Sequence, residues 1–242
     1  MTISHAIIRV NGIPIEVVRK DIRNLHVGVY PPAGRVRVAA PRRLTDDAVR
    51  LAIVSRLRWI RRHQAAFVGQ ERQSMREMVT GESHYFSGRR YRLRVEEGPG
   101  SASVVLRGTR TMVLQVPPGA SRDAREAVLH SWYRRQLREQ LPPLVTKWES
   151  KAGIVVADVR IRKMKTRWGS CNASVRRIWL NLELAKKAPA CLEYVLVHEL
   201  VHIYERRHTE RFRALMDKLM PNWRLVRDEL NRAPLAHEEW EY

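Results

Sequence analysis

The pattern that most constrains this chain is His198-Glu199-Leu200-Val201-His202, followed by His208. Two histidines four residues apart project from one face of a helix, where both rings can bind a single metal ion. A glutamate beside the first histidine is then placed to take a proton from a water molecule that the metal activates. The pattern therefore predicts a metal-dependent hydrolase with Glu199 as its general base.

The surrounding residues predict where this helix begins and ends. Pro189 suits a first helical position, where its missing N–H costs nothing. On a straight helix, His208 would lie about 15 Å beyond His198, which is too far for both to bind one ion. We therefore expect the helix to end within residues 203–207, and Thr209 to cap a second helix.

The three histidines predict a catalytic zinc site. Three protein nitrogens with one open position are typical of catalytic zinc, whereas structural sites use four protein ligands. Manganese and cobalt fit this donor set less well. Bound zinc polarises a scissile carbonyl and supplies hydroxide near neutral pH. Tyr204 and Arg167 are candidates for stabilising the oxyanion by residue type alone, and their spacing does not choose between them.

Further segments carry a resemblance to a known family. The spacing of the three histidines equals that of the metzincins, but Glu205 replaces the glycine that those proteins use for a tight turn. The segments Met164 to Cys171, which includes Trp-Gly-Ser-Cys, Ile178 to Leu182 and Tyr194 to His202 together resemble the YgjP-like metallopeptidases. These are relatives of the SprT-like and Wss1-like zinc proteases. The resemblance implies Glu199 as the catalyst and three zinc ligands, namely His198, His202 and His208.

Length and cysteine content predict a soluble enzyme of a reducing compartment. The 242 residues are enough to bury one large core or two small ones. No apolar run reaches the roughly eighteen residues of a transmembrane helix, and the first residues lack the order of a signal peptide. With only Cys171 and Cys191, a disulfide scaffold is excluded. We expect a cytoplasmic protein with no membrane partner, and interpret Cys171 as a small buried thiol.

The charge is strongly positive and unevenly distributed. The formal net charge is +20, and residues 1–200 carry the whole excess, because residues 201–242 hold eight basic and eight acidic side chains. Such a field attracts DNA and other polyanions. Aromatic residues interleave the basic clusters at 56–62 and 89–94, as a base-stacking surface requires. Arginine outnumbers lysine 37 to 8, however, which genomic base composition can also produce.

Pro117-Pro118-Gly119 marks a boundary in the chain. We expect a basic, β-rich amino-terminal region over residues 1–118 and a small zincin-like metallopeptidase domain over residues 119–242, giving an α+β protein. Asn11-Gly12 between two apolar segments predicts a hairpin. A second β-rich stretch, residues 85–116, looks loosely like the first, without establishing a repeat.

The predicted catalytic domain consists of a helix, strands, the metal-binding helix and a last helix. The first of these begins near Arg122, and Pro142-Pro143 is expected to kink or interrupt it. A strand before the metal-binding helix can accept an extended peptide as an added strand. We expect this edge at Arg177–Leu184 or at Trp168–Cys171. Trp168 and Trp179 are therefore candidate substrate-binding residues, with ordinary core packing as the equal alternative.

Two functional interpretations remain. The first is a zinc-dependent metallopeptidase that hydrolyses peptide bonds, either generally or in proteins associated with nucleic acid. The alternative is a basic nucleic-acid-binding protein with a structural or degenerate metal site. Replacing Glu199 with glutamine would leave the second function intact, whereas a peptidase would lose most of its activity.

Overall fold

The structure, a computed structural model, describes residues 4–30, 34–68, 76–164 and 167–232. These residues form an α+β protein, as predicted, and divide into two compact units, 4–68 and 76–232. The predicted division into a β-rich region, residues 1–118, and a metallopeptidase domain, residues 119–242, stays a prediction. Among the described residues, no helix is long and apolar enough to cross a bilayer.

The first unit is a four-stranded sheet with two helices. The elements are β1 (Ser4–Val10), β2 (Ile13–Lys20), β3 (His26–Tyr30), β4 (Arg35–Pro41), α1 (Asp46–Val54) and α2 (Leu57–Val68). The sheet order is β1-β2-β4-β3, in which the central pair β2–β4 is parallel and both outer pairs are antiparallel. Asn11 and Gly12 both have positive φ, 49° and 79°, and form the predicted hairpin turn.

The apolar stripe of the two helices covers this sheet. Thr45 caps α1 by accepting a hydrogen bond from the Ala48 N–H at 3.2 Å. The fully buried Val49, Ile53 and Ile60 pack with the inner residues of the strands. The first unit therefore has a hydrophobic core of its own.

The second unit begins with a sheet of the same topology. Its strands are β5 (Ser83–Phe86), β6 (Arg89–Glu97), β7 (Ser103–Arg107) and β8 (Thr111–Val116). The strand order is β5-β6-β8-β7, again with a parallel central pair and two antiparallel outer pairs. The loose likeness seen in the sequence is therefore a repeated arrangement of four strands.

The helix that follows is longer than expected. α3 (Arg122–Ala152) continues through Pro142 and Pro143, so the predicted interruption is wrong, while the alternative, a kink at the two prolines, stays a prediction. Each proline removes a helical hydrogen bond, but the helix is buried on both sides of the pair, at Leu141 and Trp148. This packing maintains a helix that local propensity alone would break.

A small sheet and three helices complete the second unit. The elements are β9 (Asp158–Arg162), β10 (Gly169–Asn172), β11 (Arg177–Asn181), α4 (Pro189–Tyr204), α5 (Glu210–Leu219) and α6 (Trp223–Arg232). The sheet order is β10-β11-β9, with β11 paired antiparallel to β10 and parallel to β9. Since β11 is paired on both sides, the prediction of an open edge at Arg177–Leu184 is wrong. β10, the other predicted segment, lies at an edge of this sheet, since β11 is its only partner among the described strands.

Candidate metal centre

The structure brings the three predicted histidines together. His198 and His202 lie one turn apart on α4, and His208 lies in the short connection to α5. One ligand nitrogen from each ring lies within 4.8 Å of the others, and Nε2 of His208 is 3.0 Å from Nε2 of His198. No other group of three or more potential metal-ligand side chains occurs in the described part of the chain.

The connection between the helices directs the third histidine back to the first two. α4 ends at Tyr204, within the predicted interval, and Glu205 adopts an extended conformation. The Glu205 carbonyl lies 3.0 Å from Nδ1 of His202, so it can accept a hydrogen bond from this nitrogen and leave Nε2 free as a ligand. Thr209 caps α5 by accepting a hydrogen bond from the Phe212 N–H at 3.3 Å. Chain reversal and cap thus fix the position of His208.

Phe212 supports all three rings. Its ring centroid lies 5.0, 4.8 and 4.7 Å from those of His198, His202 and His208. Phe212 itself is 2% exposed. Because the Phe212 side chain carries no polar atom, it positions the three imidazoles by packing alone.

The environment favours the neutral forms of His198 and His208. Burial, and then the proximity of His202 and His208, lowers the pKa of His198 to about 3. Burial and His202 also lower the pKa of His208. Nδ1 of His198 is buried and has no hydrogen-bond partner among the described residues. Neutral imidazoles are the form that binds a metal ion.

Glu199 lies on the next position of α4 and is 6% exposed. Burial raises the pKa of its carboxyl to about 8, and the positive charge of Arg167 opposes this increase. A cation bound beside Glu199 would oppose this increase as Arg167 does, and so would lower the pKa of the carboxyl. The backbone of Gly169 makes room for this side chain, because a Cβ at residue 169 would lie 2.6 Å from Oε1 and 2.7 Å from Cγ of Glu199.

These groups face a cleft of about 850 Å³. Its walls come from the β10 segment, α4, the connection after α4, and α6. The lining residues outside the histidines and Glu199 include Arg167, Trp168, Gly169, Cys171, Tyr194, Arg206, Arg227 and Leu230. The cleft is of the size that accommodates a short peptide segment or a small molecule.

The two predicted substrate tryptophans lie in different places. Trp168 lines the cleft, with Nζ of Lys187 5.4 Å from the centre of its ring. Trp179 lies on the central strand β11, outside the cleft lining, with the Arg160 guanidinium 5.4 Å from its ring centre. The structure thus brings Trp168, but not Trp179, to the histidines.

The other sequence candidates are also separated by the structure. The Tyr204 hydroxyl lies 3.2 Å from the carbonyl oxygens of Ala152 and Gly153, to which it donates, and Tyr204 does not line the cleft. Arg167 does line it. Cys171 is a partly buried thiol in the same wall, and burial and Glu199 raise its pKa to about 11.

Sequence reasoning gave no role to several lining residues. Tyr194 precedes His198 by four residues, so helical spacing alone places it on the same face. Arg206 and Arg227 carry no such signal, because the cleft depends on how α6 packs against α4. Long-range packing of this kind is not visible in a local pattern.

The predicted base-stacking surface is not formed as expected. Tyr91, in the basic cluster at 89–94, is 6% exposed and belongs to the core of the second unit. Trp59, in the cluster at 56–62, packs on the core of the first unit, with its ring centroid 4.4 Å from that of His63. The arginines of both clusters are exposed, but alternation along β6 turns Tyr91 inward.

The site and the fold indicate a class of protein, and comparisons with known proteins identify the family. The family model described as YgjP-like, metallopeptidase domain, matches residues 25–233. The chain therefore belongs to the YgjP-like family of metallopeptidases. The crystal structure of the metallopeptidase zymogen of Pyrococcus abyssi abylysin is similar over 36% of this chain and 89% of that chain, with 23% identity and a TM-score of 0.31. A search of curated proteins found no match.

Proposed function

We propose that this protein is a zinc-dependent peptidase in which Glu199 is the general base. The observation that carries the proposal is the convergence of three imidazoles beside a buried carboxyl in one cleft. Membership of a metallopeptidase family supports the same reaction class. The arrangement of α3, the small sheet and α4 would then be a zincin-like catalytic domain with an HExxH helix.

The donor set fits zinc. Tetrahedral zinc with bonds of about 2.0–2.1 Å places its ligand nitrogens roughly 3.4 Å apart, and the three nitrogens here lie within 4.8 Å of one another. His198, His202 and His208 would hold the ion, with the His202 ring oriented by the Glu205 carbonyl. When bound, zinc polarises the scissile carbonyl and activates water as a nucleophile.

Glu199 is the group that accepts and returns the proton. Its carboxyl is buried next to the three histidines and packs against Gly169 of β10. A base in this position takes a proton from the attacking water and delivers it to the departing amine. Arg167 lines the same cleft and its charge acts on Glu199, so it is placed better than Tyr204 to stabilise negative charge on the substrate.

The edge of β10 is the proposed site for the peptide backbone. Of the strands that the structure describes, only β11 pairs with β10, and the β10 residues from Gly169 to Asn172 line the cleft. An extended peptide added to this edge would form backbone hydrogen bonds that do not depend on its sequence. Trp168, at the start of this wall, would contact substrate side chains.

Two measurements test the proposal. Protein purified without added metal is expected to contain about one zinc per chain, and a His198→Ala/His202→Ala variant is expected to contain none. Zinc-loaded protein should cleave an unstructured protein such as casein, and Glu199→Gln should lower kcat by at least about a hundredfold while retaining zinc. Zinc retention with unchanged activity in Glu199→Gln would refute Glu199 as the base.

Exposed arginines in both basic clusters keep the nucleic-acid interpretation as a second candidate. On α2, Arg58, Arg61 and Arg62 are exposed to solvent. If the target proteins are associated with DNA, adding DNA should increase cleavage of a DNA-bound protein relative to the same protein in solution. If the charge contributes only to solubility, DNA will leave the rate unchanged.

A further inference from the structure

The charge of the cleft wall is strongly biased. Three arginines line the cleft, namely Arg167, Arg206 and Arg227, whereas Glu199 is the single carboxyl among its described lining residues. A bound divalent cation would add to the positive charge. A wall of this kind raises the local concentration of negatively charged ligands.

The three arginines differ in how far they are already neutralised. Nη2 of Arg227 is 2.9 Å from Oδ1 of Asp228, and its guanidinium lies 5.1 Å from the Trp223 ring centre. By contrast, the guanidinium groups of Arg167 and Arg206 form no hydrogen bond or ion pair with the part of the chain that the structure describes. Two guanidinium groups in the cleft therefore have donors available for a ligand.

A carboxylate is the ligand that these donors suit in a peptide-binding cleft. The guanidinium fork matches a carboxylate in a bidentate geometry. Nucleic acid would need a row of cations that follows successive phosphates, whereas only Arg167 and Arg206 have unpaired guanidinium groups among the described residues of the cleft lining. This reasoning rests on the peptidase activity proposed above and specifies its substrates.

We propose that Arg206 and Arg167 make this cleft selective for acidic peptide segments, with Asp or Glu side chains near the scissile bond. Arg167 is also close to Glu199 and has a proposed part in the reaction, so its replacement would alter more than selectivity. Arg206 is neither a proposed metal ligand nor the proposed base, and it lies in the connection between α4 and α5. It is therefore the residue that tests selectivity.

The test uses peptides that differ only in charge. Three fluorogenic peptides would carry Glu, Gln or Lys at the residues flanking one scissile bond. We expect kcat/KM of the zinc-loaded protein to be about fivefold higher for Glu than for Gln and lowest for Lys, mainly through KM. Arg206→Glu should remove the preference for Glu and improve cleavage of the Lys peptide, and added salt should reduce both differences.

Arg207 provides a matched control. It is adjacent in the same connection and carries the same charge, but it does not line the cleft. Arg207→Glu should keep the preference for Glu. Equal kcat/KM for the Glu and Gln peptides, or equal effects of the two substitutions, would overturn the inference while leaving the peptidase function intact.

A binding measurement separates the two proposals. Fluorescence anisotropy of labelled Glu, Gln and Lys peptides on zinc-loaded Glu199→Gln protein measures selectivity without turnover. Tighter binding of the Glu peptide that Arg206→Glu abolishes would support the inference even if no peptide were cleaved, in which case the peptidase proposal would fail. If single-stranded DNA instead bound in the cleft and lost affinity in Arg206→Glu, with no preference among peptides, phosphate rather than carboxylate would be its ligand.

Discussion

The need for glycine at residue 169 comes from Glu199, a residue thirty positions away in the sequence. The φ angle of Gly169 is not in the left-handed region, so glycine is not needed for backbone conformation. The requirement is space, since a Cβ there would also lie 2.9 Å from Cγ1 of Val195. This contact gives a physical reason for the glycine of the Trp-Gly-Ser-Cys segment, which the sequence had shown only as part of a family resemblance.

Gly169→Ala is therefore expected to displace the Glu199 carboxyl. Because a misplacement of about 1 Å in a catalytic group can cost about a hundredfold in rate, we expect a kcat loss of that order with zinc content unchanged. Gly98→Ala is the matched control, since a Cβ there would meet nothing within 4 Å. Full activity in Gly169→Ala would show that this contact does not position Glu199.

His130, on α3, is expected to make the stability of the fold depend on pH. It is mostly buried, and burial together with Lys163 and Lys186 lowers its pKa to about 4, against smaller opposing effects of Glu126 and Glu183. The unfolded chain binds a proton near pH 6.5, so it holds more protons than the folded chain between pH 6.5 and 4. The stability that the neutral His130 side chain contributes near pH 7 is therefore lost as the pH falls through this interval.

His130→Gln should remove that loss. Between pH 7.5 and pH 5, the free energy of unfolding of the parent chain should decrease by up to about 2 kcal/mol more than that of the variant. Urea denaturation of both proteins, each in the His198→Ala/His202→Ala background, checks this without a contribution from metal binding. The same decrease in both proteins would assign the acid sensitivity to other groups.

At the scale of elements, the sequence predicted those features, such as helix starts, that depend on residues close together in the chain. Pro189 and Thr209 act at helix starts as their local chemistry indicates. The sequence could not give what depends on distant packing. Whether a strand is central or at an edge depends on which strands pair with it, and the continuity of α3 through Pro142 and Pro143 depends on its burial.

Gly153 joins two of these elements. It ends α3 in the left-handed conformation, with φ of 65°, and its carbonyl accepts a hydrogen bond from Tyr204 at the end of α4. Gly153→Ala should destabilise the second unit by about 1 kcal/mol or more, because alanine is strained at positive φ. Chemical denaturation measures the change, and Gly153→Asn should cost less since asparagine tolerates this conformation.

At the scale of the whole molecule, the two units have separate cores, and the proposed zinc ligands all lie in the second. A ligand stabilises only the folding unit that contains its site. Calorimetry should therefore resolve two unfolding transitions, of which zinc raises one by several degrees. The His198→Ala/His202→Ala variant should lose this shift and keep the other transition. A single transition that zinc shifts as a whole would show that the chain unfolds as one cooperative unit.

The two sheets with identical strand order have a consequence for the way the chain folds. Tandem modules that share a topology can exchange equivalent strands while they fold, and this is a common route to misassembly. Here the equivalent strands β2 and β6 differ in sequence, Ile-Pro-Ile-Glu-Val-Val-Arg-Lys against Arg-Arg-Tyr-Arg-Leu-Arg-Val-Glu-Glu. β2 buries Ile15, Val17 and Val18, whereas β6 alternates exposed arginines with the buried Tyr91 and Leu93. A β6 strand inserted into the first sheet would have to place the larger Tyr91 side chain in a core built around isoleucine and valine, and the resulting overpacking disfavours the exchange.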